Sequence, residues 1–324
     1  MTKTTFVENI QPGEKVQAVF AVTDKSVSHR KDGAPFLNLT LVDRTGSVRA
    51  IMWDLLPDTL GSFDNGDYVA VMAQAGTYRD QLQLTIKALA RTPDDEVDPS
   101  DFLPTCPTDP QKLFAKLKEL TESIQDPFLN NLMNAFWEDE AFVKAFTAAP
   151  AGKKMHHAYI GGLAEHTLSV ALLVDPLAGH YVKNKGVNRD LLLVGAVLHD
   201  VGKVQEFQWK AAIDYSDAGR LMGHAVLGVR MLDEKIAGIP DFPNETAMLL
   251  RHMIVSHHGE REFGAIETPK TLEAIILNNI DDLDAKVNGV RTFMDQEDNG
   301  EVWTGYHRLM ERYFYRGRKA GGDE

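Results

Sequence analysis

Apolar and polar side chains alternate over short stretches in the first part of the chain, and this pattern predicts β-strands. The cleanest alternation is Phe-Leu-Asn-Leu-Thr-Leu-Val at residues 36–42. Similar runs occupy residues 16–22, 48–53, 68–73 and 81–86. Glycine-containing turns separate these runs, as expected between strands. Five short strands in about 80 residues predict a small closed barrel of the OB-fold type.

The spacing of apolar residues changes to a helical period from Gln111 onward. Between the two patterns, residues 92–110 are rich in Pro and Asp and are predicted to be a linker. Helices are predicted around residues 111–124, 128–146, 160–182, 189–200, 220–236, 244–257, 270–288 and 301–314. The chain is therefore predicted to be a multidomain α+β protein, with a β-barrel followed by an all-α domain.

The predicted domains also differ in charge. The domains are the barrel at 1–91, the linker at 92–110, connecting helices at 111–149, a helical domain at 150–317 and a polar tail at 318–324. The barrel carries 10 basic and 10 acidic residues, whereas the remaining chain carries 24 basic and 37 acidic residues. This asymmetry favours binding in the neutral barrel and metal chemistry in the acidic helical domain.

Bulk composition excludes several classes of protein. The net charge of −13 argues against non-specific coating of nucleic acid, although a local basic groove or bound metals still permit a nucleic-acid enzyme. Cys106 is the only cysteine in the sequence, so a disulfide framework within the chain is excluded. No signal peptide or membrane-spanning run is expected, which favours a cytoplasmic protein without a membrane partner. The oligomeric state is left open.

The pair His199-Asp200 is the most informative feature of the helical region. It follows the apolar run 191–198, so a nitrogen and an oxygen ligand lie side by side at the end of a buried helix. Such a pair suits a divalent metal such as Mn, Fe, Co or Zn. Lys203 lies one helical turn after His199, where its charge can face the same cavity. A metal with a cation beside it is suited to attack on a phosphate ester.

Other His and Asp side chains also occur in or at the ends of apolar helices. They are His166, His224, His257, His258 and Asp281. A single histidine on such a helix is more often a hydrogen-bonded core residue than a ligand. The whole set would bury many unpaired polar groups at high cost, and a metal centre removes that cost. A helical bundle can bring side chains from separate helices to one interior point.

The order His166, His199-Asp200, Asp281 resembles the HD superfamily of metal-dependent phosphohydrolases. The additional His224 and His257-His258 resemble the members that hold two metals. The resemblance covers roughly residues 150–315, and the order of the complete set makes it specific.

A closer resemblance extends over nearly the whole chain, to the YhaM-type 3′–5′ exoribonucleases. It is carried by residues 156–166 (His-His-Ala-Tyr-Ile-Gly-Gly-Leu-Ala-Glu-His), 256–260 (Ser-His-His-Gly-Glu), 283–286 (Leu-Asp-Ala-Lys) and 50–54 (Ala-Ile-Met-Trp-Asp). That family joins an N-terminal OB domain to an HD domain. The resemblance implies a nuclease that acts on single-stranded ends of RNA, or also DNA, with support from manganese or cobalt.

On this resemblance we expect a centre of two divalent ions, manganese first and cobalt, iron, zinc or nickel as alternatives. Asp200 is expected to bridge the ions. One ion would be held by His166, His199 and Asp281, and the other by His224, His257 and His258. A hydroxide between the ions would attack the terminal phosphodiester, with Lys203 neutralising a phosphate oxygen.

Several nearby residues are weaker candidates. Glu165, Glu260 and His157 are expected to support the ligands from behind or to handle protons, and a solvated carboxylate is an equally good interpretation of each glutamate. Asp282 and Asp284 are expected to be helix-cap or salt-bridge groups, and Asp282 is also an alternative to Asp281 as a ligand. His257 and His258 can converge on one ion only if the helix ends there, which Gly259 favours.

In the barrel, candidates for single-strand binding are aromatic residues for base stacking and arginines for a positive groove. They are Phe36, Trp53, Tyr78, Arg79 and Arg49. Phe36 and Trp53 are equally compatible with core positions. Arg79, beside Tyr78 in a turn, is the best candidate for contact.

Two other functions remain open from the sequence. One is an HD-type hydrolase of nucleotides or cyclic dinucleotides, although residues 259–264 lack the Gly-Tyr-Pro element of the cyclic-dinucleotide enzymes. The other is a non-catalytic nucleic-acid-binding protein with a structural metal, against which the full ligand set and Lys203 argue.

Overall fold

The computed structural model describes residues 3–54, 60–153, 155–210, 212–297 and 300–317. The chain divides into two compact units. The barrel unit comprises Met1–Thr105 and Gln208–Asp214, and the helical unit comprises Cys106–Phe207 and Tyr215–Glu324. The structure has no described helix long and apolar enough to cross a membrane.

The barrel unit contains the five predicted strands. They are β1 (Lys15–His29), β2 (Pro35–Asp43), β3 (Gly46–Met52), β4 (Tyr68–Tyr78) and β5 (Gln81–Thr92). The sheet closes in the order β1-β2-β3-β5-β4, with β3 and β5 parallel and the other neighbours antiparallel. This confirms the predicted five-stranded barrel of the OB type.

Strand β1 is longer than predicted because it serves two partners. Residues 15–21 pair with β4, and residues 21–29 pair with β2. The register shifts between Val22 and Asp24, and such an irregularity bends a strand and allows the barrel to close. In β2 the buried positions alternate, so Leu37, Leu39 and Leu41 face the core and leave the intervening side chains outside.

The segment predicted as a linker differs from that prediction over residues 93–105. Two short 3₁₀-helices form there, at Asp94–Glu96 and Pro99–Asp101. The ring of Phe102 packs 4.6 Å from the ring of Tyr68, and the Arg44 N–H donates to the Asp101 carbonyl. Because burial of Phe102 gives this segment its own contacts, it folds as part of the barrel unit despite its prolines.

The helical unit consists mainly of helices. Two short strands lie between the sixth and seventh helices in the chain, and most of their residues belong to the barrel unit. The elements are α1 (Pro110–Thr121), α2 (Pro127–Trp137), α3 (Glu140–Ala148), α4 (Gly162–Lys185), α5 (Arg189–Leu198), α6 (Lys203–Glu206), β6 (Phe207–Trp209), β7 (Ile213–Tyr215), α7 (Asp217–Ile236), α8 (Asn244–Ser256) and α9 (Leu272–Gln296). Helix α5 is buried from Leu191 to Leu198 and packs against α4, α8 and α9. The apolar run therefore occupies the centre of the unit, and its C-terminal end delivers His199-Asp200 to the interior.

The first three helices begin at aspartates that were visible in the sequence. The side chains of Asp109, Asp126 and Asp139 each accept a hydrogen bond from a backbone N–H of the first turn. Proline follows two of these caps at Pro110 and Pro127, where its missing N–H costs nothing. The Asp-Pro pairs of this region are thus helix starts.

The predicted helix at 301–314 is wrong. Isolated bridges join Trp303 to Tyr315 and His307 to Arg312, so the segment is extended and doubles back on itself. Its aromatic side chains are spaced for cross-strand pairs, and these pairings override the helical spacing that the sequence suggested.

Candidate metal centre

The seven predicted ligands converge in the helical unit from five helices. His166 lies on α4, His199 and Asp200 follow α5, His224 lies on α7, His257 and His258 follow α8, and Asp281 lies on α9. Four of them, His166, His199, Asp200 and His257, are at most 1% exposed. Side chains distant in sequence therefore share one nearly closed interior point.

One half of the centre is formed by His166, His199 and Asp281. The His166 Nε2 atom lies 3.2 Å from His199 Nε2 and 3.1 Å from Asp281 Oδ1. The His199 Nε2 atom lies 3.7 Å from the same Asp281 oxygen. Three ligand atoms from three helices thus face one point.

The other half is formed by His224, His257 and His258. The His224 Nε2 atom lies 3.3 Å from His257 Nε2 and 3.0 Å from His258 Nε2. Helix α8 ends at Ser256, and Gly259 adopts a positive φ of 76°. His257 is the C-cap residue of α8 and keeps helical backbone angles, and the chain turns away after His258. Both adjacent histidines face His224, which is the convergence expected where a helix ends.

Asp200 lies between the two halves. Its Oδ2 atom is 3.4 Å from His166 Nε2 and 3.3 Å from His199 Nε2. Its Oδ1 atom is 3.6 Å from His224 Nε2 and 3.5 Å from His257 Nε2. This Oδ1 atom is buried and has no hydrogen-bond partner in the described structure. Each carboxylate oxygen of Asp200 therefore faces a different half of the centre.

Two of the imidazoles are oriented by backbone carbonyls. The Nδ1 atom of His199 lies 2.7 Å from the Ala196 oxygen, and that of His257 lies 2.7 Å from the Ile254 oxygen. A carbonyl only accepts hydrogen bonds, so the proton of each neutral ring is on Nδ1. The Nε2 atoms consequently present lone pairs toward the centre.

Two other imidazoles are oriented by carboxylates. Asp284 Oδ2 lies 2.7 Å from His166 Nδ1, and its other oxygen accepts a hydrogen bond from Ser169. Glu206 Oε1 lies 3.0 Å from His224 Nδ1 and also accepts the His224 backbone N–H at 2.9 Å. Such outer carboxylates fix the ring orientation and increase its basicity toward a metal.

The sequence did not assign Asp284 and Glu206 to this role. Asp284 was expected to be a cap or salt-bridge group, but its position one turn after Asp281 places both carboxylates on the same side of α9. Glu206 reaches His224 because Gly223, with φ 71° and ψ 159°, interrupts helix α7. The contact of Asp284 with His166 could have been inferred from helical spacing, whereas the contact of Glu206 with His224 depends on this kink.

The arrangement fits bound divalent ions. The facing ring nitrogens of each half lie 3.0–3.3 Å apart, with Asp281 and Asp200 oxygens beside them. A metal–nitrogen bond of about 2.1 Å places neighbouring ligand atoms about 3.0–3.4 Å apart, which matches these separations. The unpartnered oxygen of Asp200 supplies one more ligand atom. The residues therefore suit a metal better than a hydrogen-bonded core.

Burial and charge set the protonation of the ligands. Burial lowers the pKa of His257, and burial with the neighbouring histidines lowers that of His258 to about 2. Both rings are thus neutral at pH 7 and able to bind metal. Burial opposes charge on His166 as well, but hydrogen bonds to three carboxylates outweigh it and raise its pKa well above the usual value.

The carboxylates respond in the opposite direction. Burial alone would raise the pKa of Asp200, but Lys203 and the surrounding imidazoles hold it well below its usual range. The same competition, with His166 as the main partner, lowers the pKa of Asp281. Both carboxylates are therefore ionised at neutral pH, as ligands must be.

Lys203 faces the centre, as predicted. Its Nζ atom lies 2.6 Å from Asp200 Oδ2, and its side chain is only 7% exposed. It also lines a cavity of about 700 Å³ that reaches the surface, together with His257, His258 and Asp281. A buried cation is thus held at the boundary between the ligands and the space where a substrate can enter.

The remaining candidates differ in their proximity to the centre. His157 is buried near Glu165 Oε2 and Asp284 Oδ2, at 3.8 and 3.9 Å, and adopts a positive φ of 49°. Glu165 accepts a hydrogen bond from the Tyr159 hydroxyl. Glu260 is exposed on the cavity wall. The structure therefore brings His157 and Glu165 behind the ligands and leaves Glu260 at the entrance.

Asp282 occupies a different position from its neighbour Asp281. Its carboxylate is 53% exposed and lies 2.6 Å from Lys286 Nζ, one turn along α9. It is thus the surface salt-bridge group that the sequence predicted.

In the barrel unit, a surface groove of about 480 Å³ is lined by Phe36, Arg49, Trp53 and Tyr78. The rings of Phe36 and Trp53 lie 4.8 Å apart, and Trp53 is 40% exposed. Tyr78 is 56% exposed, and the guanidinium of Arg79 lies 5.4 Å from its ring. Four of the five residues proposed for base contact therefore line one groove, and Arg79 lies beside it against the Tyr78 ring.

Comparison with known proteins finds a family model for part of the helical unit and relatives over nearly the whole chain. The family model for the HD domain matches residues 163–286. A 3′-5′ exoribonuclease YhaM from Geobacillus sp. (strain WCH70) is 32% identical over 311 residues, which cover 96% of this chain and 94% of the relative. A protein of the same name from Bacillus subtilis (strain 168) is 30% identical over 305 residues, covering 94% and 95%.

Among solved structures, the second OB-fold domain of replication protein A from Methanococcus maripaludis is 24% identical to this chain. The match covers 27% of this chain and 92% of the replication protein A domain, with a TM-score of 0.21. The identity to the curated relatives extends over nearly the full length of both chains and includes the helical unit with its metal centre. This protein therefore belongs to the YhaM family of 3′-5′ exoribonucleases.

Proposed function

We propose that this protein is a metal-dependent 3′–5′ exonuclease that removes nucleotides from the end of single-stranded RNA. The helical unit carries out hydrolysis, and the groove of the barrel unit binds the strand. The relatives named 3′-5′ exoribonuclease support the reaction and its polarity.

The observation that carries this proposal is the division of the Asp200 carboxylate. One oxygen faces His166 and His199, and the other faces His224 and His257. A single buried carboxylate shared in this way favours two divalent ions. Nitrogen and oxygen donors together suit manganese, cobalt, iron, zinc or nickel. Manganese is placed first because the resemblance to the YhaM-type exoribonucleases implies it.

When bound, divalent ions at such a site stabilise charge on phosphoryl oxygens and make water nucleophilic at neutral pH. The chain's own residues prepare this chemistry. Asp284, Glu206 and two backbone carbonyls fix the imidazoles, so no reorganisation is needed when substrate arrives. Lys203 places a positive charge at the cavity wall, where it can pair with a non-bridging phosphate oxygen.

The barrel groove supports a single strand as the substrate. Exposed rings of Trp53 and Tyr78 offer stacking surfaces that accept any base, and Arg49 and Arg79 add positive charge. A duplex would keep its bases stacked on one another and away from these rings. This division of work allows a globally acidic protein to act on a polyanion.

The test is digestion of RNA and DNA oligonucleotides of the same sequence, labelled at the 5′ or the 3′ end, with each divalent metal in turn. A ladder of shortened products from the 5′-labelled RNA and immediate release of the labelled mononucleotide from the 3′-labelled RNA are expected. Products of the opposite polarity, or hydrolysis restricted to free nucleotides or cyclic dinucleotides, would refute the proposal. A parallel series with a duplex tests the requirement for a single strand.

A further inference from the structure

Residues 303–315 form a short two-stranded segment in the helical unit, which we call the aromatic ribbon. Its strands are joined by the bridges Trp303↔Tyr315 and His307↔Arg312. Backbone hydrogen bonds support this pairing, from Thr304 N–H to the Phe314 oxygen and from His307 N–H to the Arg312 oxygen, both at 2.9 Å. The ribbon is thus an ordered element that turns back at residues 308–311.

One face of the ribbon is exposed and aromatic. Its members are Trp303, Tyr306, Tyr313 and Tyr315, each between 50% and 59% exposed. They form two cross-strand pairs, with Trp303 and Tyr315 centroids 5.1 Å apart and those of Tyr306 and Tyr313 5.3 Å apart. Gly305 is an extra residue between the two pairs, and such a bulge returns Tyr306 to the face of Trp303.

The opposite face anchors the ribbon. Thr304 is buried, and its hydroxyl accepts the Phe314 N–H at 2.9 Å. The ring of His307 lies 4.6 Å from that of Phe293 on α9. The four outer rings are therefore held in place from behind while their own faces stay accessible to solvent.

The tip of the ribbon lines the cavity of the metal centre. Leu309 and Met310 share that cavity with Lys203, His257 and Asp281. Strand residues are spaced about 3.3 Å apart, so the pair Tyr306/Tyr313 lies within roughly 10 Å along the chain from the tip. The aromatic face thus begins beside the entrance to the metal centre.

We propose that the aromatic ribbon is a second binding surface for single-stranded RNA, which stacks bases next to the metal centre while the terminal phosphodiester is held there. The inference rests on the proposed nuclease function and adds a binding element within the catalytic unit. Paired rings offer the sequence-independent stacking that a processing nuclease needs.

Charge and position favour a nucleic acid as the occupant. Arg308 in the turn and Arg312 beside it are exposed, with Glu311 between them, so this end of the ribbon carries a net positive charge within an otherwise acidic helical region. Their guanidinium groups can pair with phosphates on a strand that enters the cavity. Tyrosine and arginine also occur at protein interfaces, but continuity with the catalytic cavity points to the substrate.

The test compares the double variant Tyr306→Ala/Tyr313→Ala with Tyr306→Phe/Tyr313→Phe. Steady-state kinetics are measured on a single-stranded RNA oligonucleotide and on bis(p-nitrophenyl) phosphate, a phosphodiester without bases. The alanine variant should raise KM for RNA roughly tenfold or more and leave hydrolysis of the small diester unchanged. The phenylalanine variant keeps both rings and should behave like the wild type. Leu221→Ala, at a side chain 85% exposed outside the cavity lining, is the matched control.

Three results would overturn the inference. An unchanged KM for RNA would show that the rings do not touch the strand. Equal loss of activity on both substrates would show that the ribbon only shapes the cavity. A change of oligomeric state in the alanine variant, measured by light scattering, would identify the ribbon as an interface between copies. If the wild type hydrolyses the small diester but does not shorten RNA, the nuclease proposal fails instead.

Discussion

The metal centre and the barrel groove present functional side chains in opposite ways. Around the metal centre, His166 and His199 are completely buried, and a second group orients each of them through Nδ1. In the groove, Trp53 and Tyr78 are about half exposed, with Phe36 beside Trp53 and Arg79 beside Tyr78. The metal centre constrains the positions of its ligand atoms, whereas the groove leaves its aromatic rings free to adjust.

This difference corresponds to two kinds of chemistry. Charge stabilisation during bond cleavage depends on donor positions to within about 0.5 Å, so the supporting groups are part of the catalytic design. Stacking on bases of any sequence tolerates adjustment, and an exposed ring with one neighbouring arginine suffices. Substitutions should therefore have large effects on turnover in the first region and moderate effects on affinity in the second.

The largest effect is expected for Asp200→Ala. Both halves of the centre lose a ligand atom, so turnover should fall by at least roughly a thousandfold. This loss exceeds the 10- to 100-fold cost of removing a residue that only hydrogen-bonds to a ligand. Single-turnover kinetics on RNA at saturating metal measure the loss. Asp282→Ala, which changes an exposed carboxylate on the same cavity wall, should remain close to the wild type. Near-normal turnover in Asp200→Ala would exclude it as a bridging ligand.

A smaller loss is expected when the support behind one ligand is removed. Asp284→Ala should weaken manganese binding about 10- to 100-fold, because His166 loses the carboxylate that fixes its ring. Asp284→Asn keeps an acceptor and should lose less. Isothermal titration of the metal separates this effect from catalysis. Glu206→Ala should act in the same way on the other half through His224, and equal weakening of both binding steps by either variant would contradict independent support.

In the barrel, Trp53→Ala should weaken binding of a single-stranded oligonucleotide by about 1–3 kcal/mol. Fluorescence anisotropy in calcium, without turnover, measures the affinity. The rate constant for a substrate already bound at the metal centre should be unchanged. Met72→Ala removes an exposed apolar side chain of the same barrel that does not line the groove, and it serves as control. Loss of turnover with unchanged affinity would break the proposed division of work.

The smallest effect concerns a carboxylate of the barrel that binds no metal. Partial burial raises the pKa of Asp67, but the Asp64 N–H and Arg91 outweigh it and hold the pKa below its usual value. The pair of Asp67 and Arg91 therefore stabilises the fold above about pH 4, the pKa of Asp67 in the unfolded chain. This contribution is lost as the pH falls through the lower pKa of Asp67 in the folded protein.

Asp67→Asn should lower the melting temperature only slightly at pH 7, because Arg91 is nearly half exposed and water screens the pair. The difference from the wild type should shrink below about pH 4. Thermal unfolding across this pH range measures it, and a cost that does not depend on pH would mean that the charge is irrelevant.

Prediction from sequence was most specific where a buried residue type has few alternative roles. His199-Asp200 after an apolar run, and five further His and Asp residues on apolar helices, had no cheaper explanation than a metal, because burying them unpaired is costly. Alternation in β2 likewise fixed which side chains face the barrel core. Local spacing was ambiguous at residues 301–314, where aromatic residues fit either a helix or paired strands.

The sequence by itself determined the five-stranded barrel, the helical unit and the identity of the candidate ligands, since strand alternation and buried polar residues are local signals. Only the tertiary structure decided how the ligands divide between the two oxygens of Asp200. It also decided that Asp284 and Glu206 orient His166 and His224, and that the chain beyond α9 forms an aromatic ribbon at the cavity. These features depend on which helix ends come into contact and on the kink at Gly223. Packing between residues far apart in the chain determines those contacts.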